Sequence, residues 1–340
     1  MDTTYILNKI IKKQDLLAEE TQLFLNDVIK GALSPAQIGA ILVALRMKGE
    51  SSKEIVGFIK TMRKNMINVK ATGAIDVCGT GGDGSGTFNI STAVAFVIAG
   101  AGVKVVKHGN RAASSKCGSA DVLEHLGINL QLSPKHAESV FNKVGMVFLF
   151  APLFHPAMKN LVSVRKELKT KTIFNFLGPF TNPASVKKQL IGVPSVKIAE
   201  KLADVGRYLN YKHLLIVTSQ DGLDEISISS KTLIFEVKNN SVKKFNINPA
   251  DYGFIKYSLK EIRGGTVDEN AAHIRVILNG KKGPRRDIVV LNSACALYIA
   301  GAVKTIVIGI KCAEESIDSG KAQLVLQNLI RETQKYANNT

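Results

Sequence analysis

Between Asp76 and Thr92 the chain places glycines at 79, 81, 82, 84 and 86, with Asp83, Asn89, Ser91 and Thr92 among and after them. Residues 74–77 ahead of the string read as a short buried strand, and residues 92–99 after it as an apolar helix. A second strand is expected at 103–106, directly after Gly100-Ala101-Gly102. Strand, helix and strand in this order form a β-α-β unit, which requires a parallel sheet. Backbone free of side chains can approach an anion closely, and the following helix end offers N–H groups and the positive end of its dipole. The spacing from Gly79 to Gly84 is G-x-G-x-x-G, yet the acidic residue that would hold a ribose about 20 positions later is absent, because 103–107 carries lysines. The lysine of a P-loop is absent as well, since Ser85 stands in its place. An anion cradle remains, to be weighed against a glycine-rich turn with a capping serine.

The flanking sequence sets the architecture. Residues 1–70 carry apolar residues at helical spacing throughout. Ser34 and Pro35 form a cap and first-turn pair closed by Gly49, and Ser51 with Glu54 has capping-box form. Beyond 71, strands are expected at 128–132, 146–150, 214–218 and 233–237. Helices are expected at 134–144, 155–168, 288–300 and 322–336, and a loop over 178–183. The expected fold is α/β: a small all-helical domain over 1–70, joined by helices from about 160–186, and a larger α/β domain over 71–340 with a mainly parallel central sheet. The cleft between the two is the default binding site.

Three further segments can carry chemistry. Residues 107–121, from Lys107-His108-Gly109-Asn110-Arg111 to Gly118-Ser119-Ala120-Asp121, follow the second strand and so should face the glycine loop, adding cations and hydroxyls. Asp221-Gly222-Leu223-Asp224-Glu225 follows another strand. Its neighbouring carboxylates suit Mg²⁺, which takes one or two carboxylates plus substrate phosphate and water, but they also suit a plain surface turn. His155-Pro156-Ala157 leads to Arg165, which can clamp a carboxylate, pair with Glu167 or lie solvated. Neither G-x-S-x-G nor H-E-x-x-H occurs, and the six histidines lack metal-ligand spacing. His125, His136 and His213 read as helix-face or core residues.

Composition narrows the class. Lys+Arg 45 against Asp+Glu 28 gives +17, a field that attracts anionic ligands. Aromatics are only 6% and the basic residues are dispersed, so nucleic acid is a weak expectation. The longest weakly charged stretches, 90–103 and 294–303, are shorter than a membrane span and broken by glycine. Four cysteines without a C-x-x-C pair, and an N-terminus without signal-peptide layout, suggest reduced thiols and a cytoplasmic address.

With these residues assembled, the chain closely resembles the anthranilate phosphoribosyltransferases. The resemblance is carried by Gly79-Thr80-Gly81-Gly82-Asp83, Asn89-Ile90-Ser91-Thr92, Lys107 to Arg111 with Ser114-Ser115, Gly118 to Glu124, His155-Pro156-Ala157-Met158, Thr172 to Pro179, Asn182-Pro183, Asp221 to Glu225, Asn270-Ala271 and Gly283 to Asp287. It implies Mg²⁺-dependent transfer of phosphoribose from phosphoribosyl pyrophosphate to the amine of anthranilate, by a homodimer formed through the helical domain. It further implies that Gly79, Gly82, Asp83, Thr87, Asn89, Ser91, Thr92, Lys107, Ser115 and Ser119 hold phosphoribosyl pyrophosphate. Ser91, Asp224 and Glu225 would hold magnesium, with two ions per subunit. Asn110, Arg165 and Gly79 would bind anthranilate, with His108, His155 and Pro179 lining its path. No residue is implied as a general acid or base.

The chain departs from the family where Glu-Leu-Gly-x-Arg-Thr is usual and Glu167-Leu168-Lys169-Thr170-Lys171-Thr172 stands here. That substitution bears on the loop's backbone and on anthranilate entry or affinity. Two rivals share the plan: a pyrimidine nucleoside phosphorylase, and a non-catalytic, nucleic-acid-binding relative suggested by the charge.

Overall fold

The computed structural model describes residues 2–112 and 116–337. Helices α1 (Thr3–Ile11), α2 (Ala18–Ile29), α3 (Pro35–Lys48) and α4 (Ser52–Lys64) come first. Strand β1 (Asp76–Gly79), α5 (Ile90–Gly100), β2 (Val105–Gly109), α6 (Ser119–His125), α7 (Pro134–Val144), β3 (Met146–Phe150) and the single turn α8 (Ala151–Phe154) follow. Then α9 (Lys159–Leu168) and α10 (Phe174–Leu177) return to the helical lobe. The chain continues through β4 (Lys188–Gly192), α11 (Val196–Tyr208), β5 (His213–Ser219), β6 (Thr232–Lys238), β7 (Ser241–Ile247), α12 (Val267–Leu278), α13 (Pro284–Ala300), α14 (Ile306–Asp318) and α15 (Lys321–Gln334).

The helix starts follow their caps. Ser34 accepts the amide of Gln37 with Pro35 in the first turn, and Gly49 ends α3 at φ 87°. In α4 the box partner Glu54 is fully buried, and its carboxylate is satisfied by the amides of Leu16 (2.8 Å) and Ser51 (2.7 Å) and by Lys48 Nζ (2.9 Å). Edge-to-face rings of Phe24, Phe58 and Phe174, with centroids 5.9 Å apart in each pair, tie α2, α4 and α10 together. The return of α10 is thus an aromatic contact, while α9 packs through the aliphatic Leu161 and Val164.

Strand order across the larger sheet is β1-β4-β5-β6-β7, parallel through β1, β4 and β5 and antiparallel through β5, β6 and β7. Strands β2 and β3 form a parallel pair, and a parallel bridge between Ile75 and Val105 sets β2 on the free side of β1. One face of the sheet, through Ile191, Leu214, Ile216 and Phe235, joins the core of the helical lobe. The other packs on α5 and α13, whose near-complete burial explains why their sequences are apolar all round.

Four expectations need correction. The first two strands run two residues later than the apolar pattern suggests. Residues 128–132 form no strand: Ile128, Leu130 and Leu132 are buried in alternation, but the backbone lies against α15, where Asn129 bonds Thr333 through its amide (3.2 Å) and side chain (3.4 Å). The passage 178–183 contains a 3₁₀ turn, Gly178–Thr181, with Pro179 in its first turn where a missing N–H costs nothing. The expected elements also omitted β4, β7, α8, α11, α12 and α14.

Candidate active site

The glycine loop leaves the carboxyl end of β1 and enters α5. Gly81, Gly82, Gly84 and Gly86 all have φ between 63° and 75°, which side-chain-bearing residues rarely adopt, so the string is needed for the path itself. Asp83 is turned inward on the loop, accepting Ser85 N (3.1 Å) and Ser85 Oγ (2.6 Å). Asn89 bonds the Cys117 carbonyl through Nδ2 (3.2 Å), tying this loop to the second one, while its Oδ1 is buried without a partner. Ser91 and Thr92 lie in the first turn of α5. Thr87 bridges Arg263, and the amide of Gly264 donates to Gly86 O (2.9 Å), so residues 262–264 strap the loop's exit.

The turn after β5 closes on this loop. Asp224 Oδ2 accepts the Gly81 amide at 2.8 Å, and the Asp224 amide faces Asp83 Oδ2 at 3.4 Å. A Cβ on Gly79 would collide with the Asp224 carboxylate and one on Gly192 with the Asp224 backbone, so these two strand-end glycines make room for the side chain and the main chain of Asp224. Asp224 and Glu225 are both more than nine-tenths buried. Burial first, then the charge of Asp83, pushes Asp224 up to about 7; burial and the neighbouring Asp224 push Glu225 well above the usual carboxylate range. The Ser91 amide faces Glu225 and partly offsets that rise. Two adjacent carboxylates held in their protonation range are a pair that a divalent cation would stabilise in the ionised form. No group of three His, Cys, Asp or Glu among the described residues forms a metal cage. Mg²⁺ takes one or two carboxylates with substrate oxygens and water, a donor set that Asp224 and Glu225 can begin.

Lys107, on β2, is 2% exposed and donates to Val77 O (2.7 Å) and Ser91 Oγ (3.1 Å). One buried ammonium thereby joins β1, β2 and α5. The second loop is organised by Asp121, which accepts Ala112 N and Gly118 N at 2.9 Å each and pairs with Arg111 (3.1 Å). Ser119 begins α6 and points to Asn110 O (3.4 Å); Asn110 is exposed and accepts the Arg111 amide (2.7 Å). Ser115, with Ser114, lies outside the described residues.

On the helical side, His108 and His155 face each other with ring centroids 5.2 Å apart. His108 Nδ1 meets Gly178 O at 3.3 Å, and Nε2 of each ring is buried without a partner. Burial lowers His108 to about 3, with the neighbouring His155 adding to the effect, and lowers His155 to about 4, so both rings are neutral at pH 7. Pro179 is buried beside them and its carbonyl accepts Gln189 Nε2 (2.8 Å). Arg165 stands on α9 as an exposed residue, the solvated alternative, with its guanidinium 5.7 Å over the Phe174 ring. Lys169 takes φ 48°, the left-handed conformation the usual glycine would favour, and Lys171 Nζ reaches Gly82 O at 2.8 Å. The departed segment therefore touches the glycine loop directly.

Several residues of the site were missed from sequence. Gly192 shapes the Asp224 pocket, the strap 262–264 holds the loop, and Gln189 joins Asp76 and Asn182, two motif residues without an expected role, in a buried polar cluster. The doublet Gly264-Gly265 ahead of the Thr266–Glu269 capping box was the available signal for the strap. Of the remaining four histidines, the three read as helix-face or core residues sit as expected, and His273 of α12 lies edge-on to Phe88. His125 pairs with Asp268 at the surface, His136 stacks on Tyr336 and His213 is buried against Glu236.

Comparison with known proteins agrees with this geometry. Residues 71–323 match the glycosyl transferase family, a/b domain, and residues 4–66 the glycosyl transferase family, helical bundle domain. Anthranilate phosphoribosyltransferase from Dehalococcoides mccartyi is 45% identical over 334 residues, covering 97% of this chain and 98% of its own. The Thermoanaerobacter enzyme is 49% identical over 318 residues, covering 93% and 94%. Among solved structures, anthranilate phosphoribosyltransferase from Thermus thermophilus superposes with TM-score 0.91 at 36% identity, covering 98% of this chain and all of that one. The Saccharomyces cerevisiae enzyme in complex with PRPP and Mg superposes with TM-score 0.90 at 28% identity, covering 98% of each. With its glycine loop, its paired carboxylates and its helical lobe accounted for along nearly the whole length, the chain belongs to the anthranilate phosphoribosyltransferases.

Proposed function

We propose that the site transfers the phosphoribosyl group of 5-phosphoribosyl 1-pyrophosphate to the amine of anthranilate, releasing pyrophosphate. The observation that carries this reading is the convergence, at the ends of β1, β2 and β5, of an exposed glycine backbone, a buried lysine and two buried carboxylates. Gly79, Gly82, Asp83, Thr87, Asn89, Ser91, Thr92, Lys107 and Ser119 would hold phosphoribosyl pyrophosphate, with Ser115 from the undescribed segment. Loop amides and Lys107 would take the negative charge that grows on the leaving pyrophosphate. Ser91, Asp224 and Glu225 would hold Mg²⁺, two ions per subunit, supplying charge neutralisation at the departing phosphate oxygens.

Asn110 and Arg165 would orient the anthranilate carboxylate, Gly79 would line the same pocket, and His108, His155 and Pro179 would form the entry wall. An aromatic amine is an unprotonated nucleophile at neutral pH, so positioning beside the cation-like ribose carbon suffices without a general base. The apolar groove of about 690 Å³ between α1, α3 and α9, lined by Leu7, Ile11, Val43, Met47 and Leu168, leaves Met47 83% exposed. We assign it to a second copy of the chain. Among the described residues no helix is long and apolar enough to cross a membrane. Cys78, Cys295 and Cys312 are free thiols, which suits the cytoplasmic site of action we assign.

The test is loss of anthranilate fluorescence on mixing the protein with phosphoribosyl pyrophosphate and Mg²⁺. Loss should require every component and stop with EDTA or with Asp224→Asn, Glu225→Gln. Folded protein that leaves anthranilate unchanged but cleaves thymidine or uridine with phosphate overturns the reading.

A further inference from the structure

Beneath the phosphate-facing residues lies a buried polar chain to which the reaction itself gives no part. Asp76, at the start of β1, is fully buried. Its Oδ2 accepts Asn182 Nδ2 (3.0 Å) and Gln189 Nε2 (3.1 Å), and the backbone amides of His108 and Val77 also face the carboxylate. Gln189 Oε1 accepts the Tyr211 hydroxyl (2.9 Å), and Tyr211 in turn meets Arg63 of α4 (3.3 Å), whose Nε holds Phe180 O (2.8 Å). The chain therefore runs from the helical lobe through the centre of the sheet to the floor of the site.

Lys107 follows Val106, whose carbonyl accepts the same Asn182 Nδ2 (2.8 Å) that donates to Asp76, and Lys107 Nζ donates to Val77 O. Ammonium and carboxylate thus lie on adjoining strands without a direct ion pair, and the attraction between the two charges opposes the rise that burial imposes on Asp76. An ammonium removed from water is tolerated only with compensation by charge and hydrogen bonds. The partners of Lys107 Nζ, Val77 O and Ser91 Oγ, are neutral. The carboxylates of Asp224 and Glu225 would be committed to a cation, which leaves Asp76 as the buried counter-charge at the base of the lysine.

We propose that Asp76 is a positioning residue for phosphoribosyl pyrophosphate, acting through Lys107: its buried charge fixes the ammonium against Val77 O and Ser91 Oγ. Asn182 and Gln189 hold the carboxylate, and through Tyr211 and Arg63 its placement depends on the seat of α4. The inference rests on the reading of the site given above, and its direction is specific. Loss of the Asp76 charge weakens the phosphate ligand and leaves anthranilate alone.

The experiment measures binding of magnesium pyrophosphate and of phosphoribosyl pyrophosphate by calorimetry on the whole chain, with KM and kcat for both substrates by fluorescence. Asp76→Asn keeps the shape and an acceptor for Asn182 and Gln189 while removing the charge. Both phosphate ligands should weaken by about tenfold or more, the scale of a hydrogen bond to a charged group, with the KM for anthranilate unchanged. Added to Lys107→Met, the same substitution should cost nothing further, because its route of action is gone. Wild-type affinity in Asp76→Asn, an equal loss for anthranilate, or a loss that adds fully to that of Lys107→Met overturns the inference. Should Asp76→Asn fail to fold, Gln189→Met removes one donor from the carboxylate without adding charge. Its smaller loss should also vanish on Lys107→Met, and a loss that persists there overturns the proposal. Wild-type protein that binds neither phosphate ligand overturns the reading of the site itself; wild-type protein that binds both, with Asp76→Asn indifferent, overturns Asp76 alone.

Discussion

Gly264 lies outside every motif of the site, yet a methyl group there should damage phosphoribosyl pyrophosphate binding. A Cβ at this position would lie 2.8 Å from both N and Cα of Phe88, backbone atoms that cannot rotate away. Restoring van der Waals contact, about 3.5 Å between carbons, needs a shift of about 0.7 Å in the strap or in residues 87–89. Misplacement by about 1 Å can cost about 10²-fold in rate, so a loss of about tenfold or more in kcat/KM for phosphoribosyl pyrophosphate is expected. Overpacking of this kind costs about 1–3 kcal/mol, which urea unfolding would show as a lower midpoint at unchanged slope. The assay is anthranilate fluorescence at varied phosphoribosyl pyrophosphate, with circular dichroism confirming the fold. A folded Gly264→Ala variant with wild-type kcat/KM would refute the argument that the strap sets the loop.

Three further outcomes are expected. Arg165→Ala should raise the KM for anthranilate by about tenfold, the scale of a charge-assisted hydrogen bond, and that for phosphoribosyl pyrophosphate much less; equal effects would remove the carboxylate clamp. His108 and His155 have folded pKa values of about 3 and about 4, below the ordinary histidine value, so the stability they contribute is complete above pH ~6.5 and is lost as pH falls toward those values. Each should add a slope of about 1.4 kcal/mol per pH unit below pH ~6, and His108→Gln with His155→Gln should flatten urea-unfolding stability between pH 7.5 and 5; an unchanged slope counts against neutral rings. Lys171→Met removes the exposed contact with Gly82 O and should raise the KM for phosphoribosyl pyrophosphate by about threefold, measured at low and high salt, with no shift placing Lys171 outside the loop's support.

The glycine string, the caps of α3 and α4 and the Asp221–Glu225 turn could be read from sequence because each is local: the residue types and their spacing carry the reason for the conformation. What escaped depends on distant chain. Residues 128–132 have the alternation of a half-buried strand, and only Thr333 of α15 explains why their backbone pairs with a helix side chain instead. Strand β7 is mostly exposed and so lacks an apolar pattern, although Asn239 and Asn240 at φ 51° and 58° mark the hairpin that aligns it. Asp76 carries no sequence signal beyond its place ahead of the glycines, because its partners Asn182 and Gln189 lie more than a hundred positions away. Arg165 shows the same limit, since Phe174 becomes its neighbour only through the turn between α9 and α10.

The strap across Gly86 and Phe88 also fixes an order of events during synthesis. Domains form as units from the N-terminal end while the chain is still being made, and α1, α3 and α4 have their caps from the start. The phosphate loop, by contrast, meets Ile262 and Gly264 only after almost two hundred more residues have been added. Until then residues 80–88 hang from β1 without their far anchor, so a nascent chain halted before residue 262 would carry nearly every signature of the site and no finished place for a phosphate.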